Sequence, residues 1–237
     1  MLTVALDTSS ESGSIAVLRE ERLIAVISTS AEETYSSRIF RQLEFLMGEL
    51  SLSLDRFDLF AVNAGPGSFT GLRVGLTLAK AWAEVYGKPV AAVGGLEAVA
   101  AECVREAAVV VSVLDARRGQ VYAGAYRRTS APGCRLRLVA EVEDVVMTPQ
   151  EFLAWLREPE RSKAPIATPS EAWLASVVSA AGGDPSQLRI QQVSAVLAPM
   201  IGSLGYERFT RGETVDALSL DANYVRRSDA ELHWRRN

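Results

Sequence analysis

Apolar residues at every second position open the chain, and after residue 35 a helical spacing of three and four takes over. Residues 2–6 form a compact apolar run. Residues 13–19 carry Ile15 and Val17 in alternation, and residues 23–27 are rich in β-branched side chains. The break Arg19-Glu20-Glu21-Arg22 is polar and short, as a hairpin turn requires. Ile39, Leu43, Leu46 and Leu50 then share one helical stripe, which Phe40, Phe45 and Met47 widen. A strand at 59–62, a glycine-rich loop and a helix over 70–86, stopped by Gly87 and Pro89, come next. A strand at 90–93 and a helix from Gly95 to about Glu106 close this half.

The second half restarts in the same order. Residues 109–114 are uniformly apolar, as in a buried strand, and 121–126 and 136–142 alternate. Thr148 is placed to cap a helix with Pro149 at its first position. A strand at 164–167, a helix at 170–181 stopped by Gly182-Gly183, a strand at 188–190 and a helix at 194–210 follow, with Gly202 and Gly205 expected to weaken the last helix. Each half therefore reads βββαβαβα. Three strands followed by alternating helix and strand make a mixed α/β sheet with crossover helices. A duplicated unit of that order is the ribonuclease H-like pair of the actin-like (ASKHA) fold. The expected division is between Glu106 and Ala107, giving lobes 1–106 and 107–237.

Composition narrows the function more than the fold. A net charge of −4 disfavours an autonomous nucleic-acid binder, which needs a basic surface to neutralise phosphates. One basic patch stands in the tail, at Arg226, Arg227, His233, Arg235 and Arg236, although charged termini are usually just solvated. Cys103 and Cys134 form neither a CxxC motif nor a disulfide framework, which fits a reducing compartment. His233 is the single histidine, so every two-histidine metal site is excluded. The apolar run before Asp7 is too short for a signal peptide, and no stretch reaches the ~20 apolar residues of a membrane span. The expected location is cytoplasmic.

Three loops carry candidate chemistry. Asp7-Thr8-Ser9-Ser10 lies between the first two strands, where a carboxylate and small hydroxyls can hold a metal-bound phosphate or simply form an Asx/Ser turn. Asp115-Ala116-Arg117-Arg118-Gly119-Gln120 occupies the equivalent place in the second half; its arginines suit an anion, or an Asp–Arg pair that fixes the turn. The third is Gly65-Pro66-Gly67-Ser68-Phe69-Thr70-Gly71-Leu72-Arg73-Val74-Gly75, directly after a buried strand. Its glycines permit tight turning, Ser68 or Thr70 can cap the next helix, and free N–H groups there suit an anion. It is not a P-loop, because no Gly-Lys-Ser/Thr follows. In the helix itself Gly71, Gly75, Ala79 and Ala83 step by four, a stripe of small residues that lets a neighbour approach closely, while Val74, Leu78, Trp82 and Val85 add a second apolar side.

At these residues the sequence resembles the TsaB (YeaZ) family of tRNA threonylcarbamoyladenosine biosynthesis proteins. The likeness runs from Val4-Ala5-Leu6-Asp7-Thr8-Ser9, through the Gly65 to Gly75 block and Asp115-Ala116-Arg117-Arg118-Gly119-Gln120-Val121-Tyr122, to Asn223-Tyr224-Val225-Arg226. The resemblance implies a non-catalytic subunit that binds and activates a TsaD-like transferase, with a TsaE-like ATPase joining the complex. It implies a homodimer in isolation and contact with tRNA only through the complex. It places no metal in the chain and no cofactor, ATP or ADP entering only in the assembled complex. The partner helices, carried over by position, are those at 36–50 and 72–85, with Ile39, Leu43, Leu46, Gly71, Gly75, Leu78, Ala79 and Trp82 as interface residues. Asp7, Thr8, Ser9, Gly65, Gly67, Ser68, Thr70, Asp115 and Arg117 are the anion-loop candidates. Many relatives carry a His near the start of the first of these helices, where this chain has Tyr35.

Two other readings compete. A phosphotransferase of the acetate- or sugar-kinase type would use the same hairpins, but needs an adenosine pocket for which Gly182-Gly183-Asp184 is the one candidate, and a helix stop explains that turn more simply. A metallopeptidase fails on ligand count.

Overall fold

The computed structural model describes residues 1–30, 35–103, 107–131, 134–221, 223 and 225. The order of its elements is the doubled βββαβαβα that the hydrophobic pattern predicts. The first set is β1 (Leu2–Asp7), β2 (Ser14–Arg19), β3 (Arg22–Ser28), α1 (Tyr35–Leu50), β4 (Leu59–Gly65), α2 (Phe69–Tyr86), β5 (Val90–Gly94) and α3 (Gly95–Ala101). The second is β6 (Val109–Asp115), β7 (Val121–Ala131), β8 (Cys134–Met147), α4 (Pro149–Trp155), β9 (Ile166–Thr168), α5 (Glu171–Ala180), β10 (Ile190–Gln192) and α6 (Ala198–Thr210). The two five-stranded sheets run β3-β2-β1-β4-β5 and β10-β9-β6-β7-β8, which is one topology used twice. In each, the first three strands pair antiparallel, and the fourth returns beside the first in parallel register.

Compactness divides the chain differently from the cut expected at residue 106. One unit is Met1–Gly95 with Val196–Tyr224, and the other is built on Leu96–Ala195. The last helix of the second repeat therefore belongs to the first unit. Alternation along the strands explains why. Val4, Leu6, Ile15, Val17, Phe60 and Val62 turn to one face of the first sheet and pack with Ile39, Leu43 and Leu46 of α1 and Leu72, Leu76, Ala79 and Trp82 of α2. The Phe60 ring lies 5.5 Å from that of Trp82 and 6.4 Å from that of Tyr86. The opposite face, with Ala5, Leu18, Leu59, Ala61 and Ala91, is covered by α6. A methyl at Gly202 would collide with Leu18, and one at Gly205 would sit 2.8 Å from the Ala61 Cβ. These glycines, expected to weaken α6, are what lets it approach the sheet.

In the second unit Val111, Val113, Val121, Ala123, Ala125 and Ile166 pack with Phe152 and Leu156 at α4 and Leu174 and Val178 of α5. Thr148 caps α4 in a reciprocal capping box with Glu151, and Pro149 takes the first helical position. The helix expected to reach Glu106 stops at Ala101, where the Arg128 guanidinium donates to the carbonyls of Ala100 (3.2 Å) and Cys103 (2.9 Å). β8 extends beyond the expected strand at both ends. Among the described residues no helix is long and apolar enough to cross a membrane.

Candidate functional site

The first hairpin and the glycine-rich loop do come together, but as a packed joint. Asp7 ends β1 and is fully buried (0% exposed). Its Oδ1 accepts from the Ser9 N–H (3.0 Å), the Ser9 hydroxyl (2.7 Å) and the Asn63 side-chain amide (2.9 Å). That amide also donates to Ser9 Oγ (2.9 Å), and Asn63 Oδ1 in turn accepts from the Gly65 N–H (2.8 Å). The Thr8 hydroxyl donates to the Gly71 carbonyl (2.7 Å), and the Ser68 N–H donates to the Ser9 carbonyl (2.8 Å). Asp7 Oδ2 is buried and has no partner among the described residues. Burial accordingly raises the Asp7 carboxyl above its ordinary 3.8, against the lowering pull of Ser9 and Asn63.

The glycines serve this joint. A Cβ at Gly67 would come 2.5 Å from Ser9, one at Gly71 would run into the Thr8 carbonyl, and one at Gly75 would come 2.5 Å from Thr8 Oγ1. Ser68 caps α2, its hydroxyl accepting from the Gly71 N–H. Of the anion-loop candidates, Asp7, Thr8, Ser9, Gly65, Gly67 and Ser68 are thus brought together, yet the hydroxyls of Thr8 and Ser9 are buried and donate to the protein itself. Both hydroxyl protons are therefore committed within the joint, to Gly71 and to Asp7. Thr70 points elsewhere, to the outer surface of α2. Asp115 and Arg117 lie in the other unit, at an exposed turn. There the Arg117 N–H donates to Asp115 Oδ1 (2.7 Å) and the two side chains pair at 3.7 Å, so the Asp–Arg pair that fixes the turn is what forms. Gly182 has a φ of +80° just past α5, and Asp184 accepts from the Ser186 N–H to cap a short turn, as a helix stop requires. Among the described residues no group of three His, Cys, Asp or Glu is placed to hold a metal.

Most of the residues expected at the interface face inward. Ile39, Leu43, Leu46, Gly75, Ala79 and Trp82 are buried in the core of their own unit, and the small-residue stripe faces the sheet and the Thr8 turn. A helix this close to a sheet must turn its smallest side chains inward. The outward surfaces of α1 and α2 are a different set. Phe40 and Phe45 on α1 are 60% and 59% exposed, and Val85 on α2 is 72% exposed. Between the helices runs a groove of 420 Å³ lined by Phe40, Phe69, Thr70, Arg73, Val74, Thr77 and Leu78. The Arg73 guanidinium stacks 3.9 Å over the Phe69 ring. Leu78 alone of the expected interface residues lines it. The bulky residues Phe40, Phe45 and Val85 were visible in the sequence as widening the apolar stripes. Phe69 and Arg73 were not, because they fall within a motif read as a loop, and Thr77 breaks the apolar pattern. The side chain of Tyr35 and the basic tail from Arg226 onward lie outside the described residues.

The comparisons with known proteins decide the family. The family model described as TsaD, tRNA N6-adenosine threonylcarbamoyltransferase, matches residues 23–164, more than half of the chain. The tRNA threonylcarbamoyladenosine biosynthesis protein TsaB of Bacillus subtilis is 34% identical over 161 residues, 68% of this chain and 68% of that protein. The chain belongs to the TsaB (YeaZ) family. The TsaB of Haemophilus influenzae is 37% identical over 122 residues, which span half of this chain and 51% of its own length. The solved structure of YeaZ from Pseudomonas aeruginosa superposes with a TM-score of 0.71 at 26% identity, over 94% of this chain and 99% of that one. The duplicated actin-like architecture is thus the fold of this TsaB-family chain, as the element order implied.

Proposed function

We propose that this TsaB-family chain is a non-catalytic subunit that binds and activates a TsaD-like transferase in the formation of threonylcarbamoyladenosine on tRNA. The observation that carries the reading is the groove between α1 and α2, an apolar surface of Phe40, Phe69, Val74 and Leu78 on a unit whose own core is already filled. Such a groove suits the apolar face of a partner's helix or helix pair. Arg73, exposed among its lining residues, suits a carboxylate on that partner. The hairpin hydroxyls are committed to the protein, which supports a chain without phosphoryl-transfer activity of its own. We assign no cofactor to the isolated chain, with ATP or ADP entering only in the assembled complex. The same groove would pair two copies when the transferase is absent. A TsaE-like ATPase is the third member of the complex, and tRNA is contacted only through the assembly.

Reconstitution tests this. A TsaD-like transferase, a TsaE-like ATPase, tRNA and a supply of threonylcarbamoyl-adenylate are combined with and without the chain, and modified adenosine is read by mass spectrometry. Modification that depends on the chain, with none from the chain alone, is the expected result. Modification at the same rate in its absence would sink the activating role.

A further inference from the structure

The C-terminal motif that includes Asn223 closes on the turn that precedes α2. Beyond α6 the chain returns along the first unit. Val215 exchanges two backbone hydrogen bonds with Val90 of β5, both 2.9 Å, and Leu220 is buried in the core of that unit. The Asn223 N–H then donates to the carbonyl of Ala64 (2.7 Å). The Asn223 carbonyl fills the space where a side chain on Gly65 would begin, 2.5 Å from an added Cβ. Gly65 has a φ of +117°, a conformation reserved for glycine. Both groups of Asn223 that make these contacts are backbone atoms.

From this, we infer that the segment ending at Asn223 is a latch that holds the Gly65 turn and thereby positions the start of α2. The chain of contacts is continuous. Asn223 fixes Ala64 and Gly65; the Gly65 N–H is held by Asn63, and Asn63 binds Asp7 and Ser9. Ser9 receives the Ser68 N–H, and Ser68 caps the turn that bears Phe69, Thr70 and Arg73. Those three residues line the groove. Asn223 is therefore a positioning residue, one that sets where one side of the partner surface stands. The inference rests on the groove being the partner surface.

Because the contacts come from the backbone, the side chain is dispensable. The test uses the full chain, Asn223→Ala and Asn223→Pro, the second of which removes the N–H. Amide hydrogen exchange is followed at Gly65, Ser68, Gly71 and Leu72 in the free protein, and affinity for the transferase is measured by calorimetry. Asn223→Ala should match the wild type. Asn223→Pro should speed exchange at those amides by about tenfold, the effect of losing one backbone hydrogen bond, with exchange in β1 and β2 unchanged. Its affinity should fall by a similar factor. Wild-type exchange in Asn223→Pro would overturn the latch, and so would equal effects of the two variants or faster exchange throughout the sheet. Local loosening with full affinity would overturn the positioning role. If the wild-type chain itself bound no transferase, the partner reading would fail, and the exchange data would still decide whether the latch exists.

Discussion

Asp7 keeps its Oδ1 fully bonded and leaves Oδ2 buried without a partner, so its charged form is the poorly accommodated one. With the carboxyl raised above 3.8 by burial, the folded chain holds this proton to higher pH than the unfolded chain does. The sign follows. The contribution of Asp7 to stability is complete below its unfolded value and is lost as pH rises through its folded value. Asp7→Asn keeps an oxygen for the same three donors and removes the titration. Measured by urea denaturation, the variant should gain on the wild type as pH rises above the ordinary 3.8, by at most about 1.4 kcal/mol per pH unit. A difference that stays flat or reverses across that range would show that Asp7 is ionised in the folded chain. This residue also marks the limit of reading a sequence. Asp-Thr-Ser at a strand end is legible as a turn with oxygen atoms, but whether those atoms face a ligand or the protein depends on Asn63, 54 positions beyond Ser9. A polar residue inside the apolar strand 59–65 was the signal available for it.

At the scale of elements, every strand and helix of the doubled βββαβαβα order was legible, because periods of two and of three to four are written directly into the chain. Which face of a helix is the inner one was not. The stripe Gly71, Gly75, Ala79 and Ala83 suits close approach equally to a sheet and to another protein, and only the tertiary packing on Thr8 and Val62 chooses between them. Two substitutions separate the faces. Ala79→Glu puts a carboxylate at a fully buried position and should cost at least about 3 kcal/mol, abolishing the cooperative melt or lowering it sharply. Phe40→Asp, on the exposed side, should leave the melt within about 0.5 kcal/mol of the wild type and weaken transferase binding by tenfold or more on the order of a hot-spot loss. A folded Ala79→Glu that fails only in binding would return the interface to the small-residue stripe.

For the molecule as a whole, the repeat in sequence and the repeat in space are out of step. The sequence repeats as 1–106 and 107–237, whereas the first compact unit borrows Val196–Tyr224 from the far end of the chain. A hydrophobic pattern announces each helix but not which sheet it will cover, so the exchange of α6 was illegible until Gly202 and Gly205 were seen against Leu18 and Ala61. The consequence is testable by cutting the chain where the sequence repeat ends. A fragment of residues 1–106 lacks α6, leaving the sheet face around Ala5, Leu18 and Ala61 in water, and it also lacks Leu220 from the core and the Val215 partner of β5. At about 1.5–3 kcal/mol for each large apolar side chain exposed, the lost burial is of the same order as the ~5–15 kcal/mol by which a domain is stable. The fragment should bind a hydrophobic dye and melt without cooperativity, and adding a peptide of residues 196–224 in trans should restore both a cooperative melt and low dye binding. A fragment that melts cooperatively by itself would mean that α6 merely decorates a sheet already stable without it, and the unit boundary would return to residue 106.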